Sequence, residues 1–314
     1  MSNKIIAVVG STGAQGGGLV RAILGDPAKT FSVRAITRKP DGEKAKELAR
    51  LGAEVVAADL DDKVSLARAF AGAHGAFCMT NYWEHMSPEM EIAQAKNLAD
   101  AAKEARVSHA VWSTLEDTRL RMPLSDKRMP TLKEKYKVPH FDAKGSVDPY
   151  FLERVPVTLL LASFYWDNFI YFGMGPKPIE GGKLGLVLPL ADAKLPGIAA
   201  EDIGRCALGV FKRGQELVGK RIGICGEQLS GTEMASAMSR ALAREVVYQP
   251  VPPDVYRGFG FPTAADLGNM FQYNVDFETE YRAARDVDFS RSLAPGLLTF
   301  AAWLERYAAR IPIG

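Results

Sequence analysis

"VVGSTGAQGGG", Val8 to Gly18, places five glycines in eleven residues directly after the apolar run "KIIAVV". Glycine loses more backbone entropy on folding than any other residue, so such a cluster needs a physical reason. Gly10, Gly13 and Gly16 form G-x-x-G-x-x-G between a strand-like run and the helical stretch "GGGLVRAIL". A tight turn there aims backbone N–H groups from a helix N-terminus, where the dipole favours a pyrophosphate. A side chain at Gly13 would obstruct the phosphates, and Gly16 lets the helix pack on the sheet. The loop, Gly10-Ser11-Thr12-Gly13-Ala14-Gln15-Gly16, is therefore read as a dinucleotide cradle.

Working outward, the first 160 residues alternate between two textures. Apolar, β-branched runs stand at 4–10, 31–37, 53–59, 75–80, 109–114 and 157–162. Between them lie charged, alanine-rich stretches such as "EMEIAQAKNLADAAKEA", in which Ile92, Ala95, Leu98, Ala99 and Ala102 share one helical face. Strand–helix alternation with continuously apolar strands predicts an α/β fold, a doubly wound parallel Rossmann sheet covered on both faces, in strand order 3-2-1-4-5-6. Residues 1–160 are read as the dinucleotide-binding domain. Residues 161–314 are read as a smaller C-terminal α/β lobe, with strands returning to the sheet and an interface shared with the first part. Within it "KRIGICG" (220–226) reads as a further strand, and "SGTEMASAMSRALARE" as a helix opened by a capping box, Ser230 to Glu233.

The tip of the second strand indicates which dinucleotide. The usual fingerprint has an acid there for the ribose 2′-OH. Here "FSVRAIT" ends in Thr37-Arg38-Lys39. A guanidinium holds a 2′-phosphate bidentately and the lysine adds a point charge, so the expected cofactor is NADP(H). Asp59 and Leu60 follow the third strand. Asp59 either reaches the adenine edge or caps the helix "DDKVSLARAF".

Composition bounds the rest. The 314 residues carry a formal net charge of +2 with 47% hydrophobic and 24% charged residues. This charge argues against nucleic acid or anionic membrane as a partner. No apolar run is long enough to span a bilayer and no signal peptide is visible, so a cytoplasmic protein is expected. Cys78, Cys206 and Cys225 lack metal-ligand or CxxC spacing, so no metal is expected and reduced, mostly buried thiols are.

With these residues in view, the chain resembles the NmrA-like family of atypical short-chain dehydrogenases/reductases. The resemblance rests on "GSTGAQGG" (10–17), "VRAITRKP" (33–40), "TNYWE" (80–84) and "HFDAKG" (140–145), and more loosely on "YWDN" (165–168). It implies cofactor contacts at Gly10 to Gln15, Arg38, Thr80, Asn81, Tyr82, Lys144, Tyr165, Trp166, Asp167 and Asn168. The family contains regulators that read the NADPH/NADP⁺ ratio. The same superfamily branch contains hydride-transfer enzymes such as isoflavone and triphenylmethane reductases.

Typical members of the superfamily pair Tyr and Lys as Y-x-x-x-K with a serine. Here Lys144 is kept, His140 stands in place of the tyrosine, and Ser113 stands at the end of the fifth strand. His140 is either a proton donor or a helix-start packing residue. Two functions follow. The sequence favours a redox-state sensor working through a regulatory protein partner, and the alternative is an NADPH-dependent reductase of a small aromatic or conjugated compound. Either is compatible with a monomer or a homodimer. The aromatics Tyr165, Trp166, Phe169, Tyr171, Phe172, Tyr256, Phe259 and Phe261 are candidates for an apolar pocket, with most of them expected in the core.

Overall fold

The computed structural model describes residues 4–313. Its first half runs β1 (Lys4–Val8), α1 (Ala14–Leu24), β2 (Phe31–Thr37), α2 (Glu43–Arg50), β3 (Glu54–Ala57), α3 (Lys63–Phe70), β4 (Gly75–Cys78), α4 (Tyr82–His85), α5 (Pro88–Glu104), β5 (His109–Thr114), α6 (Pro139–Gly145), α7 (Asp148–Arg154) and β6 (Val157–Leu161). The second half adds β7 (Phe164–Tyr165), α8 (Asn168–Tyr171), β8 (Lys177–Pro178), β9 (Leu184–Leu188), β10 (Leu195–Ile198), α9 (Ala200–Arg213), β11 (Arg221–Gly223), β12 (Glu227–Leu229), α10 (Gly231–Leu242), β13 (Val246–Pro250), α11 (Pro253–Arg257) and α12 (Ala264–Asp276), then three further α-helices between residues 278 and 307.

Seven strands form one sheet in the order β11-β6-β5-β4-β1-β2-β3, and all neighbours are parallel. The predicted order of six strands is present, and β11, read from "KRIGICG", extends it by a seventh. Alternate residues of each strand serve opposite faces. Ile6, Val8, Val33 and Val111 join Leu19 and Val20 of α1 and Ile203 and Val210 of α9 on one side. Ala7, Ile36, Ala76 and Trp112 join Phe70 of α3, Leu98 of α5 and Phe151 of α7 on the other. Both faces are buried, which is why the strands read as continuous apolar runs.

Helix α9 seats directly against α1. A Cβ at Gly204 would lie 2.0 Å from the Leu19 amide nitrogen, and one at Gly18 would lie 2.5 Å from the Glu201 carbonyl oxygen. Only glycines allow this approach, so the second half contributes a helix and a strand to the Rossmann layer.

The remaining second-half elements build a lobe with two three-stranded sheets, β12-β10-β7 and β13-β9-β8. Their core joins Phe164, Trp166, Phe169, Leu186, Phe271, Phe300 and Trp303. The capping box of α10 is formed, with Ser230 and Glu233 exchanging side-chain and backbone bonds. All three cysteines are free and buried. Among the described residues, no helix is long and apolar enough to cross a membrane.

Candidate functional site

A cavity of about 960 Å³ runs along the carboxyl ends of β1, β2, β4 and β5 and into the second half. This is where open α/β sheets bind ligands. One end is built by the glycine turn. Gly10 sits at φ +66°, a conformation that L side chains rarely adopt, and its carbonyl accepts the Gly13 N–H at 2.9 Å. Gly13 is the N-cap of α1, no side chain caps the helix, and its first turn holds no acid. The first-turn N–H groups are thus left for an anionic ligand. Thr12, Gly13, Ala14 and Gln15 line the cavity together with Gly10.

Two loop residues stand elsewhere. Ser11 is fully buried, and its hydroxyl donates to the Ile36 carbonyl at 2.8 Å, tying the turn to β2. Gly16 is buried behind the wall, where a Cβ would lie 2.4 Å from the Gly10 carbonyl oxygen. Both hold the shape of the turn rather than its surface.

Arg38 and Lys39 line the cavity just beyond the tip of β2, with Asp59 and Leu60 nearby. Asp59 does not cap α3. Asp62 does, accepting the Val64 and Ser65 N–H groups, while the Asp59 carboxylate accepts the Asp61 N–H. Arg38 reaches across the cavity mouth to Glu84 of α4, Nη1 to Oε1 at 2.6 Å, with both side chains half-exposed. That bond holds the guanidinium above its ordinary pKa, against partial burial.

The middle of the cavity is tied together by side chains. Ser113 donates to Gln15 Oε1 at 2.7 Å, and Gln15 Nε2 donates to the Tyr165 hydroxyl. Burial pushes the Tyr165 phenol up to about 12. Lys144 lies one turn past His140 on α6, which Pro139 begins. Its ammonium donates to Thr80 O at 3.1 Å, to Thr80 Oγ1 at 2.7 Å and to Glu91 Oε1 at 2.8 Å. All three N–H donors therefore have protein acceptors, and the Trp112 ring lies 5.0 Å from the ammonium. Glu91 on α5 is completely buried. Burial alone would raise its carboxyl, but Lys144, His85 and Thr80 outweigh burial and hold it at about 2. Neither Glu91 nor Glu84 is singled out by the sequence. Glu91 is visible there only as an acid beside the apolar face of α5, and Glu84 only as the last residue of "TNYWE".

The far end is apolar. Trp83, Phe141, Phe164, Phe172, Leu267 and Met270 form its wall. Of the eight candidate aromatics, Tyr165, Tyr171 and Phe172 reach the cavity. Trp166 does not, although the loose "YWDN" match implied a cofactor contact. It is 1% exposed, packs on Phe300 and Trp303, and lies over Gly197, where any Cβ would strike its ring. Phe169 and Tyr256 are likewise core, and Phe259 and Phe261 are exposed outside the cavity wall. Asn81, Tyr82, Asp167 and Asn168 line it. The Asp167 carboxylate accepts the Ala200 N–H at 2.9 Å and so caps α9. His140 also lines the cavity, with Nδ1 2.6 Å from Asp266 Oδ1 of α12. Among the described residues, no group of three or more His, Cys, Asp or Glu is placed to hold a metal.

A doubly wound sheet with a glycine turn, a cationic strand tip and one long cleft across both defines a Rossmann-type nucleotide-binding protein. The NmrA-like family model matches residues 2–304, and the chain belongs to that family. It is 30% identical over 289 residues to the NmrA-like oxidoreductase FrzB of Cladobotryum sp, covering 86% of this chain and 83% of that one. Among solved structures, NmrA, described as a negative transcriptional regulator, is 27% identical and has been solved with NAD and with NADP. Its TM-scores to this chain are 0.78 and 0.77, covering 97% of this chain and 95% of that one. Triphenylmethane reductase of Citrobacter sp., solved with NADP(H), shares the fold at 22% identity and a TM-score of 0.74, over 96% of this chain and 99% of that one.

Proposed function

We propose that this protein is an NADPH-dependent reductase of a small, planar, conjugated or aromatic compound. The observation that carries the reading is the two-ended cavity. An anion-binding turn and two cations stand at one end, and an aromatic chamber with His140 stands at the other. Its volume is near the top of the roughly 300–1,000 Å³ range of ligand pockets, which suits a dinucleotide with an acceptor beside it. FrzB's name, oxidoreductase, supports the same reading, and NmrA, a negative transcriptional regulator solved with both dinucleotides, supports a nicotinamide dinucleotide in the cleft.

The chain's residues fit the cofactor. The uncapped N-terminus of α1 would take the pyrophosphate, and Arg38 with Lys39 would take the 2′-phosphate. Lys144 would stand beside the nicotinamide ribose, held there by Thr80 and Glu91. A bound nicotinamide supplies hydride, and the apolar chamber excludes water from the acceptor. Oxidation of NADPH over a panel of quinones, enals and cationic dyes tests the proposal, and a protein that turns over none of them is not a reductase.

Arg38 sets the cofactor preference in this reading. Arg38→Ala is expected to weaken NADPH at least roughly tenfold while changing NADH little, because only the 2′-phosphate contact is lost. Equal affinities of the wild-type protein for NADPH and NADH in calorimetric titrations would remove the argument.

The sensor reading keeps one specific support, the Arg38–Glu84 ion pair. A 2′-phosphate that recruits Arg38 competes with Glu84, and so reports the bound dinucleotide to α4 and the surface around it. Hydrogen exchange over residues 80–89 and 163–169 should then differ between the NADPH-bound and NADH-bound protein. Identical protection in the two states counts against a sensor built on these segments.

A further inference from the structure

We infer that Asp266 is a positioning residue that holds His140 through Nδ1–H and turns Nε2 to the chamber, where the imidazolium form is the proton donor for a neutral carbonyl or enone acceptor. The inference rests on the reductase reading above and adds a residue to it, a tautomer and a class of acceptor.

The geometry is specific. His140 and Asp266 are both buried, and Nδ1 lies 2.6 Å from Oδ1. A carboxylate at that distance accepts a hydrogen bond, so it selects the Nδ1–H tautomer. Nε2 has no hydrogen-bond partner among the described residues. It is not shut off from solvent, and His140 lines the cavity. The second ring nitrogen is therefore open to the chamber. Asp266 stands in the first turn of α12, where the helix dipole favours a negative charge.

Three elements surround the ring. Helix α4 brings Trp83, with ring centroids 4.7 Å apart, and Tyr82 at 5.9 Å. Helix α12 brings Asp266, and α6 itself carries Lys144 one turn on. The Tyr82 phenol is pushed well above its ordinary pKa, chiefly by burial and also by the charges of Asp266 and Glu91. It is therefore a weak acid, while His140 lines the same cavity. The Trp83 ring packs against the imidazole, tilted by 46°.

The step balances. The acceptor's carbonyl carbon gains a hydride, which oxidises NADPH to NADP⁺. The C=O π pair moves to oxygen, and the Nε2 proton of the His140 imidazolium completes the hydroxyl. The N–H bond breaks, His140 is left neutral with Nδ1–H on Asp266, and a proton from water restores it. A cationic dye needs no such proton, because hydride alone discharges it.

The test uses the full chain, labelled with ¹⁵N-histidine, and the isosteric variant Asp266→Asn. In the cofactor-free wild type, neutral His140 should carry its proton on Nδ1. An amide in place of the carboxylate should move it to Nε2, as in hydrolases whose triad aspartate is replaced by asparagine. NADPH turnover is then measured with cinnamaldehyde and with malachite green. The variant should lose about a hundredfold in kcat on the aldehyde with NADPH affinity kept, so that the dye-to-aldehyde rate ratio rises by a similar factor. An unchanged tautomer, or equal losses on both acceptors in a variant that melts like wild type, overturns the inference. A wild type idle with both acceptors overturns the reductase reading itself, and His140 as acid with it.

Discussion

Lys144→Met is expected to destabilise the protein by about 3–5 kcal/mol at pH 7, because it strands the fully buried Glu91 without its cation. The effect should depend on pH with a defined sign. In the wild type the Glu91 carboxyl lies at about 2, below its ordinary 4.5. Its contribution is therefore fully present above about pH 4.5 and is lost as the pH falls toward 2. Without Lys144, burial becomes the governing influence and pushes the carboxyl up, so the variant can protonate Glu91 where the wild type does not. The stability gap between the two should be widest at neutral pH and should narrow as the pH drops toward 4. Urea unfolding at several pH values reads this directly.

Scaffold and site are separable at this position. Lys144→Met/Glu91→Gln removes the stranded charge and should recover most of the stability, since Thr80 can still donate to the amide oxygen. NADPH affinity should stay reduced in the double variant if the ammonium also serves the nicotinamide ribose. Wild-type affinity there would make Lys144 a counterion of Glu91 alone. The structure sharpens that question, because all three ammonium donors already have protein acceptors.

What could be read from the sequence follows from which interactions are local. The glycine turn and the cationic strand tip rest on neighbours within about thirty residues, where spacing and periodicity carry the information. The order of the first six strands, which sets β1 beside the distant β4, follows from the doubly wound class that their alternation with helices indicates. His140 and Lys144 were legible because one short helix carries both. Asp266 was not, because 126 residues separate it from His140 and only the docking of α12 brings them together. Glu91 was hidden for a different reason. An acid on an amphipathic helix reads as solvated unless its buried lysine partner, on another element, is known. Trp166 shows the reverse error. Its neighbours Tyr165 and Asp167 line the cavity, but Trp166 sits in the turn that follows β7 and its indole packs into the lobe core on Phe300 and Trp303. Ser11 falls within the Gly10–Gln15 run that the resemblance implies for the cofactor, but its buried hydroxyl bonds the Ile36 carbonyl of β2, a pairing no local pattern shows.

Gly13→Val should abolish dinucleotide binding while leaving the fold intact, and it is the one glycine of the triplet for which the two separate. At Gly10 a side chain meets a positive φ and the Met79 sulfur 2.6 Å from its Cβ. At Gly16 a Cβ would sit 2.4 Å from the Gly10 carbonyl oxygen, inside the turn itself. Substitution at either deforms the loop and confounds binding with folding. Gly13 has an ordinary φ of −93°, and the nearest atom to an added Cβ is the Gly10 carbonyl oxygen at 3.2 Å, which needs a shift of a few tenths of an ångström. It is exposed at the cavity, so the valine methyls would occupy the space in front of the α1 first turn. An anion held by those N–H groups requires approach to about 2.9 Å, and a branched side chain denies it. NADPH affinity is expected to fall at least a hundredfold, about 2.7 kcal/mol, with the melting temperature of the ligand-free protein within a few degrees of wild type. The thermal shift that NADPH gives the wild type should vanish in the variant. An undiminished shift would mean that the pyrophosphate does not sit on this helix, and the assignment of the whole cleft would fall with it.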